Sequence, residues 1–76
     1  MKLSGTRSYI EVEINDKILR ISGELTTTPA FYADSNSIKH WEPPFENILI
    51  SESEKEELIK TILEETKNAE VKIYFD

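Results

Sequence analysis

The only histidine of the chain, His40, stands two residues before Glu42 in a stretch that reads as extended, so the two side chains would share one face. A carboxylate held there can orient the imidazole and raise its pKa, which is what a general acid–base pair requires. Nothing else completes such a site: there is no Gly-rich phosphate loop, no cysteine and no second histidine. The residues therefore imply no metal and no cofactor. The plainer roles for His40 are a place on the protein rim or a contact with a partner.

A second group has the chemistry of recognition. Phe31, Tyr32, Trp41 and Phe45 gather in the middle of the chain beside Asp34, Glu42 and Glu46. Aromatic side chains with acidic neighbours on loops and edge strands are what an interface needs, yet a chain of 76 residues also needs large side chains to close its core. Phe31 reads as core, and Trp41 either closes the core or joins the interface. The candidate binding residues are then Tyr32, Asp34, His40, Glu42, Phe45 and Glu46.

Between Glu52 and Glu65 there are six acidic residues against Lys55 and Lys60, a local charge of -4. Such a run is a solvated helix face or a device that steers a basic partner. With 15 Asp and Glu against 9 Lys and Arg, the whole chain carries -6. That balance argues against a nucleic-acid binder, which must neutralise phosphates with clustered cations. No apolar run approaches the roughly 20 residues of a membrane span. The opening stretch from Met1 lacks the apolar segment of an export signal, and the missing cysteines suit a reducing compartment, so export is not expected; the free chain is expected to be a monomer. The size scaling predicts about 4,800 Å² of folded surface and one thin core, hence a single domain over residues 1–76.

The elements that must position these residues are legible in part. Tyr9 to Ile14 alternates, with Ile10, Val12 and Ile14 on one face, as a half-buried strand does. Asn15-Asp16 tolerates the positive φ of a two-residue hairpin turn. Pairing Ile14 with Lys17 then sets Val12 against Leu19 and Ile10 against Ile21, and joins Glu11 to Arg20 as a cross-strand ion pair. A four-residue loop pairing Ile14 with Leu19 also satisfies the pattern, whereas a three-residue loop would set Val12 against Arg20.

After Ser22-Gly23, Leu25 to Thr28 reads as extended, with Pro29 breaking its ladder or placing it at an edge, and Ala30 to Ala33 resumes as a short strand. Asp34 to Ser37 is a turn by composition, Ile38 to Glu42 a fourth extended segment, and Pro43-Pro44 ends it. Ser51 with Glu54, or Ser53 with Glu56, has the spacing of a helix capping box. Leu58, Ile59, Ile62, Leu63 and Thr66 make an apolar stripe, closed by Lys67-Asn68. Val71 to Phe75 is a last strand with Val71, Ile73 and Phe75 inward. The fold class is α+β: a single, mostly antiparallel sheet in ββββαβ order with one helix packed across one face.

The stretch Asn36-Ser37-Ile38-Lys39-His40-Trp41-Glu42-Pro43-Pro44, with Gly23-Glu24-Leu25 before it and the acidic helix start from Ser51 to Glu57 after it, carries a resemblance. The chain resembles immunity-protein family seventy-four of bacterial polymorphic toxin and contact-dependent inhibition systems, over nearly its whole length. The resemblance implies a cytoplasmic, non-catalytic protein that binds and neutralises a cognate toxin C-terminal domain, a nuclease in many such systems. It supplies no catalytic residues. An acidic inhibitor suits a nuclease because a groove that holds phosphates is itself basic. The competing readings are a small accessory or regulatory binding protein, and a small enzyme using His40 and Glu42, for which so short a chain leaves little room for a closed pocket.

Overall fold

Asn15 and Asp16 adopt φ of 50° and 67°, the left-handed pair of a two-residue turn, and the hairpin forms in the register that this turn dictates. A computed structural model describes residues 1–76. In it strands β1 (Lys2–Gly5), β2 (Tyr9–Ile14), β3 (Lys17–Thr26) and β4 (Ala30–Ala33) are followed by helix α1 (Glu52–Thr66) and strand β5 (Lys72–Phe75). The order is ββββαβ, as expected, and the sheet runs β1-β2-β3-β4-β5, curled into a half-barrel. All neighbours are antiparallel except β4 and β5, which are parallel.

Val12 faces Leu19, Ile10 faces Ile21 and Glu11 faces Arg20, so the two-residue turn is the one used and the four-residue loop is not. One of the four leading strands was not suggested by the sequence, and one suggested strand is absent. Lys2–Gly5, which lacks a long alternating pattern, pairs with β2 and is the first strand. Ile38 to Glu42 is not a strand of the sheet. A short 3-10 turn, Ser35–Ser37, precedes it, and its only bridge joins His40 to Leu49.

Gly23 lies inside β3, not at a break. Residues up to Ser22 pair with β2, and residues from Gly23 onward pair with β4. A Cβ on Gly23 would collide with the Tyr32 carbonyl and stand 2.5 Å from Phe31 Cε1, so glycine is required by close approach. The edge of β3 left open by this change of partner is covered by the connection that follows β4. Asp34 N–H donates to the Ser22 carbonyl at 2.8 Å, Ser22 N–H to Ser37 Oγ at 3.0 Å, and Glu42 N–H to the Ile18 carbonyl at 2.7 Å.

Of the two capping boxes that the sequence allows, the one at Ser51 starts helix α1. Ser51 Oγ accepts from Glu54 N–H at 3.2 Å, and the Glu54 carboxylate accepts from Ser51 N–H at 3.4 Å. It buries Leu58, Ile62 and Thr66, whereas Leu63 is exposed and does not belong to the stripe. The helix ends at Lys67 in right-handed geometry, and Asn68 does not take the left-handed conformation expected of it. Val71 is likewise exposed in the bend before β5.

The core lies between the inner face of the sheet and the helix: Ile10, Val12, Leu19, Ile21, Phe31, Ala33, Ile38, Trp41, Leu58 and Ile62. Trp41 is 5% exposed and is therefore a core residue. Folded surface is 5328 Å², above the size expectation, in a body of 36 × 21 × 21 Å.

Candidate functional site

Charge is distributed unevenly over these elements. Residues 1–33 carry four acidic and four basic side chains, and residues 67–76 two of each, so the strands are electrically neutral as a set. The connection 34–50 carries a net -2 and the helix -4. The entire net charge of -6 thus resides in the layer made by the connection and the helix.

The structure divides the six candidate residues. Tyr32 lies on the helix-free face of the sheet, 53% exposed, and stacks on Tyr74 with ring centroids 5.4 Å apart and planes at 21°. Parallel pairing of β4 with β5 sets these two rings side by side. Asp34 has its carboxylate occupied, because Oδ1 accepts from Asn36 N–H at 2.9 Å and caps the 3-10 turn.

His40, Glu42, Phe45 and Glu46 stay together on the connection. His40 is exposed, and its Nδ1–H donates to the Trp41 carbonyl at 3.0 Å. It is not hydrogen-bonded to Glu42, whose carboxylate instead lies 3.9 Å from Arg20 Nε. The acid–base pair considered from spacing therefore does not form, and no group of three His, Asp or Glu residues converges as a metal site. Phe45 is half-buried against the core, and Lys17 Nζ sits 5.9 Å from its ring centroid and 5.6 Å from that of Trp41. Glu46 is exposed.

Arg20 organises the neighbouring part of the open face. Its Nε donates to Glu11 Oε2 at 2.8 Å, and its guanidinium lies 4.8 Å from the Tyr9 ring centroid. The hydrogen bond to Glu11 is the main reason that its pKa is raised above the ordinary value, with the charges of Tyr9, Glu11 and Glu42 adding to it. Raising the pKa of a base contributes stability below the unfolded value and loses it above the folded one, so this group introduces no titration near neutrality.

Residues 40–50 form a short finger. His40 and Leu49 oppose each other across the isolated bridge, Ile50 N–H donates to the Lys39 carbonyl at 2.8 Å, and Ile48 N–H to the Phe45 carbonyl at 2.9 Å. The Pro43–Pro44 peptide bond within it is cis. Ile48 and Leu49 are 40% and 74% exposed. Neither was singled out from the sequence, although three consecutive apolar residues ahead of a helix cap cannot all turn inward. Tyr74 was also missed, and its alternation out of phase with Ile73 and Phe75 marks it as outward-facing.

No helix of the structure is long and apolar enough to cross a membrane. A family model described as Immunity protein 74 matches residues 2–76. No curated protein and no solved structure matches the chain.

Proposed function

The chain belongs to the Immunity protein 74 family, with an immunity function and a toxin as its partner, and on that premise we propose that it neutralises a cognate bacterial toxin domain by direct contact. The toxin is a basic, nucleic-acid-cleaving domain of a contact-dependent or other polymorphic toxin system. The inhibitor acts in the cytoplasm as a monomeric, non-catalytic binding protein. Its contact surface is the acidic connection, with His40, Glu42, Phe45 and Glu46, together with the outward side of the helix, and Tyr32 contributes from across the covered edge of β3. Asp34 holds the turn that presents them.

The observation that carries this reading is the confinement of the net charge to the connection and helix. A groove that binds phosphates must be basic, so an acidic layer is attracted to it over a Debye length of about 8 Å at physiological ionic strength and competes with nucleic acid there. The finger supplies apolar contact at the end of the same layer, where steering alone gives rate more than affinity.

The test is co-expression with the toxin domain encoded immediately upstream. Rescue of growth together with co-purification of the two chains is expected. Failure to rescue, with both chains soluble, contradicts the reading.

A further inference from the structure

We infer that the finger is the anchor of the toxin complex, with Leu49 and Ile48 entering an apolar depression on the toxin that is bordered by Lys and Arg side chains. The inference rests on the toxin-binding reading above and adds the residues and the chemistry of the receiving surface.

Leu49, at 74% exposed, is the most exposed large apolar side chain, and Ile48 adjoins it. Contiguous apolar exposure marks an interaction surface where isolated exposure does not. The backbone that carries it is already ordered, by the hydrogen bonds of Ile50 to Lys39, Ile48 to Phe45 and Glu42 to Ile18. Beneath it Trp41 is buried and Phe45 packs against the core. A side chain shown on such a backbone loses little further freedom on binding, which is the advantage of preorganisation.

Two other exposed apolar regions compete, and charge decides between them. The Tyr32–Tyr74 stack and the groove flanked by Leu25 and Val71 both belong to the sheet, whose charges cancel. Of these three regions only the finger stands in the charged layer, with Glu42 and Glu46 on it and Glu52 and Glu54 in the helix turn that follows. The exposed Leu63 of the helix is a single side chain flanked by Thr61, Glu64 and Glu65, with no second exposed apolar residue in the helix. A cationic partner drawn to that layer meets Leu49 there. The receiving surface is therefore apolar at its centre and basic at its rim.

The experiment measures affinity and dissociation of the purified upstream-encoded toxin domain, in catalytically inactive form, for the intact chain and three variants. These are Ile48→Ser with Leu49→Ser, Val71→Ser as a control for loss of exposed apolar surface, and Tyr32→Ser with Tyr74→Ser. Thermal melting confirms that each is folded. The finger variant should bind at least about tenfold more weakly, mainly through faster dissociation, and Val71→Ser within about twofold of the parent. Parental binding with an unaffected finger variant, or with loss confined to the tyrosine variant, overturns the anchor while the toxin-binding reading stands. Absence of binding by the parent chain overturns both.

Discussion

The main-chain N–H of Glu42 donates to the carbonyl of Ile18 across 2.7 Å, and this bond ties the Trp41-Glu42-Pro43-Pro44 segment to the open edge of β3. An uncovered strand edge invites pairing with another chain. Here the edge opens because β3 changes partner at Gly23, and the connection closes it with two backbone bonds, from Asp34 to Ser22 and from Glu42 to Ile18, and with the Ser37 hydroxyl. The same connection then projects the finger. Protection of the sheet and presentation of the candidate binding residues are thus one structural device.

Trp41 is the side chain that holds that device to the core. Trp41→Ala should cost about 3–5 kcal/mol, as large aromatic deletions from packed cores do, a large share of what a domain of this size has. Urea denaturation followed by circular dichroism checks this, and a loss under about 1 kcal/mol would show the ring to be peripheral.

The two glycines should respond differently. Gly23→Ala drives a Cβ into the Tyr32 backbone carbonyl and the Phe31 ring, and is expected to destabilise by several kcal/mol or prevent folding. Gly5→Ala meets Ile10 Cγ2 at 3.0 Å and the Tyr9 carbonyl at 3.1 Å, a closeness that a terminal strand can relieve by small shifts, so the cost should be about 1–2 kcal/mol. Comparing the two denaturation midpoints tests the assignment.

Removing the helix cap gives a smaller effect of known sign. Ser51→Ala loses the acceptor of Glu54 N–H and should cost about 1 kcal/mol, a fall in Tm of about 4–8 °C for a domain of this length. Thermal melts at fixed protein concentration measure it, and an unchanged Tm would mean that the capping box adds nothing.

The charged layer should act on rate more than on stability. Replacing Glu46, Glu52 and Glu56 by Gln is expected to slow association with the toxin domain by about tenfold at low salt, with the difference shrinking as salt rises. Stopped-flow association over a salt series provides the check, and identical salt slopes would show that these carboxylates only solvate the surface.

What the sequence revealed follows from which interactions are local. The β2–β3 hairpin, its register, the Glu11–Arg20 pair and the Ser51 cap were all legible, because each depends on residues a short distance apart. Lys2–Gly5 was not, since a four-residue strand held by long-range pairing carries too little pattern. Ile38 to Glu42 looked like a strand because extended backbone suits an edge cover as well as a ladder. Leu63 misled for a related reason: the helix buries a narrow stripe against a curled sheet, and the fourth aliphatic residue falls outside it. Among the binding candidates, His40, Glu42, Phe45 and Glu46 cluster in sequence and in space. Tyr32 finds its companion Tyr74 only through the parallel β4–β5 pairing, which no local signal encodes.

The most direct test of the account is a titration of the toxin domain's activity with the purified chain. A neutralising contact predicts linear loss of activity to a sharp endpoint at one inhibitor per toxin, with full activity recovered when the complex is dissociated. Inactivation by substoichiometric amounts that deepens with time, or activity that survives an excess of inhibitor, would contradict it.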